Sequence, residues 1–299
     1  MEDGSPYLQR IRDRFPHLEI KQARANQDGL INDILIINDE LVFRFPRNDS
    51  WARRLLANEI KVIELASEHV EMPLPQIKYK ADDLIVYSFI EGGALQQTDI
   101  LKLNEDEQWH LTEQLATYLR QLHYVPISEV KQYEISQSDV NRSRDVWLKI
   151  FEDVKGELFP LMMPHAREFV IEHFAQIVAD ENFMNYELKL INGDTAPYHT
   201  LFDKKAKRIN GIIDFGTAGI GDPAADFACI IYNYGESFLR RMARFYPEIE
   251  EGLDRARFWA GTFELQWALS GVRSQNKWWN LVHIGSAKDV LPFGSNWSN

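Results

Sequence analysis

The sequence predicts an α+β fold in two lobes, a small β-rich N-terminal lobe and a larger, mostly helical C-terminal lobe. A chain of 299 residues is long enough for two lobes and a large buried core. Short apolar runs separated by turn residues fill the first lobe, whereas residues 99–190 have helical periodicity. Gly92 and Gly93 lie between these parts and mark a hinge. The predicted lobes are residues 1–90 and 91–299.

The elements of the first lobe follow from turn, cap and strand signals. ILIINDELVFRF, residues 34–45, predicts two strands joined by a tight turn at NDE. Residues 48–69 open with three helix-cap candidates, Asn, Asp and Ser, and continue with helix formers, so they predict a helix. MPLPQI, residues 72–77, predicts an extended connection. DLIVYSFIEGGAL, residues 83–95, predicts a buried strand that ends at the two glycines.

The second lobe begins with helices. In LTEQLATYLRQLH the apolar side chains of Leu111, Leu115, Tyr118, Leu119 and Leu122 share one helical face, so this segment predicts a helix packed on the core. A loop rich in turn residues, a strand at INGIIDFG and further helices complete the chain. No internal repeat and no low-complexity tract interrupts this order.

Composition and charge exclude several classes of function. No apolar run reaches the roughly 18 residues of a membrane span, and the N-terminus lacks the order of a signal peptide, which predicts a soluble, cytoplasmic protein without a membrane partner. Cys229 is the sole cysteine, which excludes an intramolecular disulfide and a cysteine-built zinc site. A net charge of −12, with no basic cluster, excludes a nucleic-acid partner and favours cationic small molecules, although solubility alone also explains it.

The loop INGDTAPYHTLFD, residues 191–203, carries an acid between a glycine and a proline, and a histidine shortly after the proline. Asp194 precedes His199 by five positions, and the Gly and Pro predict an ordered loop, a common location of catalytic residues. A surface turn with a solvated acid is the alternative interpretation. The neighbouring motifs decide between the two.

A second acid, Asp214, ends an apolar strand in GIIDFGTAGIGDP. A carboxylate there is costly unless a positive group meets it, and residues 209–239 contain no basic side chain, so a metal ion is the natural partner. Nucleotide-linked Mg²⁺ sites use one or two protein ligands, which Asp214 and His199 can supply. The alternative is that Asp214 caps the following turn. With Asp194 as the second loop acid, the pair matches the division of labour in kinases, in which one acid holds the metal and the other receives the hydroxyl proton.

The first lobe contains a candidate ion pair. Glu59 interrupts the apolar stripe of its predicted helix, and Arg44 alternates with Phe43 and Phe45 on its predicted strand. The two charges can therefore meet across the sheet surface, where the guanidinium of Arg44 can reach a nucleotide phosphate. Two unrelated exposed charges are the alternative.

The ordered combination NGDTAPYH, IIDFG and GDPAADF resembles the signature of aminoglycoside phosphotransferases and their macrolide, choline and other small-molecule kinase relatives. The resemblance spans roughly residues 25–235 and implies a protein-kinase-like two-lobed fold. It implies Mg²⁺ as the metal and ATP or GTP as the co-substrate. Within the family, the chain looks closest to aminoglycoside 2''-phosphotransferases and macrolide phosphotransferases.

The resemblance also assigns roles to individual residues. Asp194 is expected to be the catalytic base, and His199 and Asp214 are expected to be the Mg²⁺ ligands. The expected nucleotide-binding residues are Arg44, Glu59, Gly29, Tyr87, Ser88, Phe89 and Ile90, and the residues that support the loop are Asn192, Asp222 and Asp226. The family usually has His at position 192, Asn at 199 and Lys at 44, and it shares with this chain the lack of a glycine-rich loop. An Asn amide also donates and accepts hydrogen bonds, so activity is expected to survive the departure at 192.

The acceptor is expected between the catalytic loop and the C-terminal helices. Glu236, Glu264 and Trp267 are the candidate substrate residues, as an aromatic wall with carboxylates that receives an aminated sugar, although core packing is the alternative for the aromatic stripe. The leading function is a kinase for an antibiotic hydroxyl, first of an aminoglycoside and second of a macrolide. A metabolic kinase of the choline or homoserine type and a nucleotide-binding pseudokinase are the alternatives. A bulky Tyr87 beside the pocket favours acceptance of GTP.

Overall fold

The structure is a computed structural model that describes residues 6–26, 32–46 and 50–274. Gly29 and the cap candidates Asn48 and Asp49 lie outside the described residues. The α-helices are α1 Pro6–Arg14, α2 Ser50–Ala66, α3 Gln97–Ile100, α4 Glu105–His123, α5 Ile127–Gln132, α6 Arg144–Asp153, α7 Pro164–Ala179, α8 Ala224–Tyr234, α9 Glu236–Met242 and α10 Ile249–Arg273. A π-helical turn, Val154–Leu158, and two 3-10 turns, Phe159–Leu161 and Pro197–His199, complete the helical elements of this part of the chain.

An antiparallel sheet of five strands builds the first part of the molecule. Its strands are β1 Ala23–Asn26, β2 Asn32–Ile37, β3 Leu41–Pro46, β4 Ile77–Ala81 and β5 Leu84–Ser88. They lie in the order β1-β2-β3-β5-β4. The predicted turn at NDE joins β2 to β3, with Ile37 paired with Leu41. The predicted hairpin is therefore confirmed, and its register determines which side chains of β3 face each side of the sheet.

The two faces of this sheet are covered by different helices. Phe43 and Phe45 are buried in a cluster with Leu8 and Ile11 of α1. The opposite face, which carries Arg44, packs against α2. Alternation along β3 thus separates the apolar side chains from the charged one, as the sequence predicts.

The predicted strand 83–95 is shorter than expected, because the chain leaves the sheet after Ser88. The backbone N–H of Phe89 donates to the carbonyl of Glu40 at 2.7 Å, and a separate short strand, β6 Gly93–Ala94, follows. Gly92 has φ of +151°, and a Cβ there would lie 3.0 Å from Leu201, so the chain can turn here only with glycine.

The second part of the molecule is mostly helical and includes two small sheets. Their strands are β6 with β8 Thr200–Asp203 and β9 Arg208–Ile212, and β7 Lys189–Ile191 with β10 Gly219–Gly221. All five members of the predicted apolar face of α4 are buried, which confirms that face as core. No helix in the ranges that the structure describes is long and apolar enough to cross a bilayer.

Candidate active site

The loop that carries Asp194 lies between β7 and β8, at the meeting point of the two small sheets. β7 pairs with β10, which aligns Ile191 with Gly219. β8 pairs with β9, and the N–H of Ile213 donates to the carbonyl of His199 at 2.9 Å. These pairings bring the loops of Asp194 and Asp214 side by side, as the sequence predicts for two acids that share a cleft.

Asp226, in the first turn of α8, holds the main chain just before Asp194. Its fully buried carboxylate accepts the backbone N–H of Asn192 at 2.9 Å and that of Gly193 at 2.6 Å. His123 Nε2 lies 2.9 Å from the same carboxylate. Three donors around one buried carboxylate offset its desolvation and fix the path of the loop.

Gly193 permits this path because it has φ of +78°, and a Cβ there would lie 3.1 Å from the carbonyl oxygen of Thr217. The hydroxyl of Thr217 donates to the carbonyl of Asn192 at 3.3 Å. The loop that follows Asp214 is thereby attached directly to the loop that precedes Asp194.

His199 connects the two acids. Its Nδ1 lies 3.0 Å from the main-chain carbonyl oxygen of Asp194 and must donate to it, because a carbonyl only accepts. This hydrogen bond places a proton on Nδ1, and Nε2, the nitrogen that carries the lone pair when the ring is neutral, lies 3.4 Å from Asp214 Oδ2. The side chain of Asp194 lies 3.5 Å from the same ring. Asp194, His199 and Asp214 therefore form one continuous cluster.

Asp214 meets a cation that the sequence reasoning did not find. Arg44 Nη2, from the five-stranded sheet, lies 3.7 Å from Asp214 Oδ1. No basic residue lies near Asp214 in the sequence, but the folded chain places a positive partner beside it. The carboxylate also accepts the N–H of Gly216 at 3.3 Å, so the turn-capping alternative and the cluster coexist. Asp214 itself has φ of +63°, a strained backbone of the kind that functional sites retain.

The predicted ion pair between Arg44 and Glu59 is present and buried. Arg44 Nη1 donates to Glu59 Oε1 at 2.6 Å, and the side chains are 9% and 1% exposed. Glu59 also accepts the backbone N–H of Phe215 at 3.3 Å, so it ties α2 to the Asp214 loop. Among the residues that the structure describes, the buried Nε of Arg44 has no partner, which leaves one donor for an anion.

The electrostatics of the cluster separate the two acids. Burial raises the pKa of Asp194, and the nearby carboxylates of Asp214 and Asp226 add to this rise, while the charge of a protonated His199 opposes it. Burial also acts to raise the pKa of Asp214, but Arg44, together with the charge of a protonated His199, outweighs it and lowers that pKa. Asp194 therefore holds a proton more readily than Asp214 does, which suits a proton acceptor beside a permanently ionised group.

The predicted nucleotide-binding segment runs from the end of β5 into the connection to the second part. Tyr87 is buried, and the Arg44 guanidinium lies 5.8 Å from the centre of its ring. The N–H of Ser88 donates to Gln76 at 2.9 Å, and Phe89 and Ile90 are half-buried beside it. The segment thus starts beside the buried ion pair, while Gly29 lies outside the described residues.

The predicted substrate residues differ in what they already bind. Glu236 accepts hydrogen bonds from Arg240 and Arg257, which lower its pKa to about 2, with Arg257 the stronger cause. Glu264 accepts the hydroxyl of Tyr232. Trp267 is 40% exposed. Glu236 would therefore have to give up arginine partners to bind an amine.

Two of the predicted loop-support residues, Asn192 and Asp222, bind partners that sequence reasoning did not assign to the site, Tyr118 and Arg255. Asn192 is fully buried and donates from Nδ2 to the hydroxyl of Tyr118 at 3.0 Å. Asp222 is also fully buried, and Arg255 donates to it at 2.9 Å. Tyr118 had been assigned only to the core face of α4, and nothing in the sequence marks its hydroxyl as a partner of position 192.

Sequence reasoning also missed two exposed tyrosines, Tyr198 beside the cluster and Tyr232 near Tyr198. The ring centres of Tyr198 and His199 are 4.5 Å apart, and Tyr198 is 60% exposed. Burial of part of its side chain and the charge of Asp194 raise the pKa of Tyr198. Tyr232 is 45% exposed and packs edge-on against Phe263 at 5.2 Å. Exposed aromatic rings next to a carboxylate cluster are typical of a ligand-binding surface.

Comparison with known proteins gives consistent matches over most of the chain. The profile of the Phosphotransferase enzyme family matches residues 22–259. A viomycin phosphotransferase of Streptomyces vinaceus is 30% identical over 192 residues, which cover 63% of this chain and 64% of that protein. The protein YcbJ of Bacillus subtilis (strain 168), whose role is uncharacterized, is 24% identical over 243 residues, 76% of each chain.

Solved structures show the same fold. The GDP complex of wild-type aminoglycoside 2'-phosphotransferase-IIIa has a TM-score of 0.84 at 23% identity, over 94% of this chain and 97% of that one. A macrolide 2'-phosphotransferase from Brachybacterium faecium has a TM-score of 0.72 at 19% identity, over 96% of this chain and 100% of that one. These likenesses confirm the kinase-like fold that the sequence predicts.

Proposed function

Because the chain belongs to the Phosphotransferase enzyme family, we propose that it transfers the γ-phosphoryl group of ATP or GTP to a hydroxyl of a cationic antibiotic, first an aminoglycoside and second a macrolide. Membership confirms the family predicted from NGDTAPYH, IIDFG and GDPAADF, and the chain is a small-molecule kinase. The observation that carries the proposal is the continuous cluster of Asp194, His199 and Asp214, with the buried pair of Arg44 and Glu59 beside it.

Asp194 is the proposed proton acceptor. Its side chain is 35% exposed at a cleft, and its pKa is raised by burial, so it combines access with basicity. The hydroxyl of the acceptor would donate to this carboxylate and pass its proton there as the oxygen attacks the γ-phosphorus, while the bond from that phosphorus to the bridging oxygen breaks and ADP or GDP leaves. Since phosphoryl transfer requires little covalent chemistry from a protein, most of the acceleration comes from holding the reacting groups in line.

The nucleotide is proposed to lie between the ion pair and the segment Tyr87–Ile90. The buried Nε of Arg44, which has no hydrogen-bond partner within the described ranges of the chain, supports this placement, because a phosphate oxygen would satisfy it. Glu59 aims the guanidinium by holding Nη1. Related structures carry GDP in aminoglycoside 2'-phosphotransferase-IIIa and ADP in another aminoglycoside phosphotransferase, which supports a purine nucleotide as the co-substrate.

His199 and Asp214 are the residues that would hold Mg²⁺. The donor set fits, because the neutral ring of His199, with its proton on Nδ1, would present the Nε2 lone pair beside Asp214, and Arg44 helps to keep that carboxylate ionised. In the described parts of the chain, no group of three or more His, Cys, Asp or Glu side chains is placed to hold a metal. The remaining ligands would therefore be phosphate oxygens and water. When bound, the ion would neutralise charge on the phosphates.

The first prediction concerns this ion. Replacing Asp214 by Asn is expected to raise the Mg²⁺ concentration needed for half-maximal activity by at least about tenfold, because the ion loses its one charged protein ligand. Titration with MgCl₂, together with calorimetric binding of Mg²⁺ to the complex with a non-hydrolysable ATP analogue, measures the change. Asp203→Asn, at an exposed hairpin turn, is the control. An unchanged Mg²⁺ response in Asp214→Asn would remove that residue from the metal site.

The second prediction concerns pH. The base must be ionised to accept a proton, so kcat/KM is expected to fall as the pH drops through the raised pKa of Asp194. This acidic limb should lie above about pH 3.9, the ordinary value for an aspartate. Asp214 does not contribute there, because its own pKa is lowered. A profile measured with saturating nucleotide that stays flat down to the ordinary range would contradict the assignment.

The acceptor is proposed to bind against Tyr198, Tyr232, Glu264 and Trp267. Aromatic rings and a carboxylate suit an aminated sugar or a basic peptide ring, and the viomycin, kanamycin and macrolide substrates named for related proteins share such cationic groups. Nucleotide consumption with kanamycin, viomycin, a macrolide and choline tests the proposal. Stimulation by any of the three antibiotics supports it, and stimulation by choline alone favours a metabolic kinase. Nucleotide binding without stimulation by any acceptor would favour a pseudokinase.

A further inference from the structure

Asp194 is held differently from the residues just before it. Asp226 accepts the N–H groups of Asn192 and Gly193, but the N–H of Asp194 donates to the side chain of Asn192, at 3.0 Å from Oδ1. The orientation of the candidate base therefore depends on the orientation of one side-chain amide. Asn192 is fully buried, so its amide is shielded from bulk solvent.

The hydrogen bonds of Asn192 determine which way its amide points. Its Oδ1 must face the N–H of Asp194, since that group only donates. Its Nδ2 consequently faces the hydroxyl of Tyr118 at 3.0 Å, where the hydroxyl oxygen accepts. Burial and the charge of Asp226 raise the pKa of Tyr118 well above its usual value, so the hydroxyl stays neutral.

Tyr118 is a firm anchor for the amide. It is 1% exposed and sits in the middle of α4, where Leu115, Leu119 and Leu122 are completely buried around the same face. A rotation of the Asn192 amide would break both hydrogen bonds at once and leave buried polar groups unpaired.

We propose that Tyr118 is a positioning residue for Asp194, acting through Asn192, so that helix α4 sets the angle of the base. The inference rests on the proposed function in taking Asp194 as the base. It assigns to a core tyrosine a role that its place in the apolar stripe of α4 does not reveal. It also explains how an Asn at position 192 can support a working loop.

The test compares Tyr118→Phe with Tyr234→Phe. Tyr234 is also buried and donates its hydroxyl to the carbonyl of Leu95 at 3.1 Å, so both variants lose one buried hydroxyl. Tyr118→Phe is expected to lower kcat about tenfold, the effect of one hydrogen bond, with the KM of the nucleotide unchanged. Tyr234→Phe is expected to keep kcat within about twofold of the wild type. Equal kcat losses in both variants would reduce Tyr118 to a packing residue.

A double-mutant cycle tests the route through Asn192. Asn192→Ala and the double variant with Tyr118→Phe are expected to have the same kcat, because the tyrosine acts only through the amide. Multiplicative losses would overturn the relay. Hydrogen exchange of the peptide that contains residues 192–196 supplies a readout independent of turnover. It should be faster in Tyr118→Phe and unchanged in Tyr234→Phe.

The exchange measurement distinguishes a failure of the relay through Asn192 from a failure of the proposed function. If the wild type phosphorylates no acceptor, faster exchange in Tyr118→Phe still supports the relay and only the proposed function fails. If the wild type is active and the exchange and kcat of Tyr118→Phe match it, the relay is wrong and the proposed function stands.

Discussion

Replacing Asp194 by Asn is expected to lower kcat by about 10²- to 10⁴-fold, the usual contribution of a general base. The nucleotide should bind with nearly unchanged affinity, because Asp194 is assigned neither to the nucleotide nor to the metal. Steady-state kinetics and nucleotide titration by fluorescence measure the two quantities. An Asn variant that keeps near-normal turnover would show that another group accepts the proton.

The same variant is expected to be at least as stable as the wild type at pH 7. The folded-state pKa of Asp194 is raised by burial, so its contribution to stability is full below the unfolded value, near 3.9, and is lost as pH rises through the folded value. At neutral pH the ionised carboxylate is thus a cost, which the neutral amide removes. Loss of activity without loss of stability is typical of a catalytic group.

Asp226→Asn provides the contrast. The fully buried carboxylate of Asp226 accepts hydrogen bonds from two backbone N–H groups and lies 2.9 Å from the fully buried His123, so its replacement should lower stability as well as activity. Urea denaturation at pH 7 distinguishes the two variants. If Asp194→Asn unfolds as readily as Asp226→Asn, then Asp194 is a structural residue and the assignment is wrong.

Glu59→Gln is expected to reduce both stability and activity. The change leaves the buried guanidinium of Arg44 with Asp214, at 3.7 Å, as its remaining anionic partner, and breaking a buried ion pair costs about 3–5 kcal/mol. The hydrogen bond from Phe215 to Glu59 also weakens, which loosens the Asp214 loop. We therefore expect kcat/KM for the nucleotide to fall at least about tenfold, roughly the loss of one charge-assisted hydrogen bond.

The chain contains a matched control on the same helix. Glu64 also forms an ion pair, with Lys80, but this pair is 39% and 55% exposed. Glu64→Gln should therefore change the free energy of unfolding by no more than about 1 kcal/mol and leave the kinetics unchanged. Thermal unfolding and steady-state kinetics of both variants measure the difference between the buried and the exposed pair. Equal behaviour of the two variants would mean that the buried pair has no special role.

Sequence reasoning identified charged residues that stand within an otherwise apolar local pattern. Glu59 interrupts an apolar helical stripe, and Arg44 alternates with phenylalanines on a strand, so periodicity together with the loop acids predicts that the two charges meet. Asp194 and Asp214 follow short apolar strands at loops with glycine. In each case a short stretch of sequence is enough to mark the residue as a candidate for the site.

The residues that it missed depend on contacts between distant segments. Arg44 reaches Asp214, and Tyr118 reaches Asn192, only through the packing of separate elements. Glu236 is a predicted substrate-binding residue, and Arg257 of α10 donates a hydrogen bond to it. No local pattern in the sequence reveals this contact. A buried tyrosine in an apolar stripe looks like core until its hydroxyl partner is known.

The most direct test of the account follows the phosphoryl group itself. Wild-type protein, Mg²⁺ and γ-labelled ATP or GTP are incubated with kanamycin, viomycin or a macrolide, and the products are separated and identified by mass spectrometry. The account predicts that the label moves to a hydroxyl of one of these acceptors with wild-type protein and that Asp194→Asn, which still binds nucleotide, transfers at least about a hundredfold less. Nucleotide binding by the wild type without labelling of any acceptor, or equal labelling by the two proteins, would contradict it.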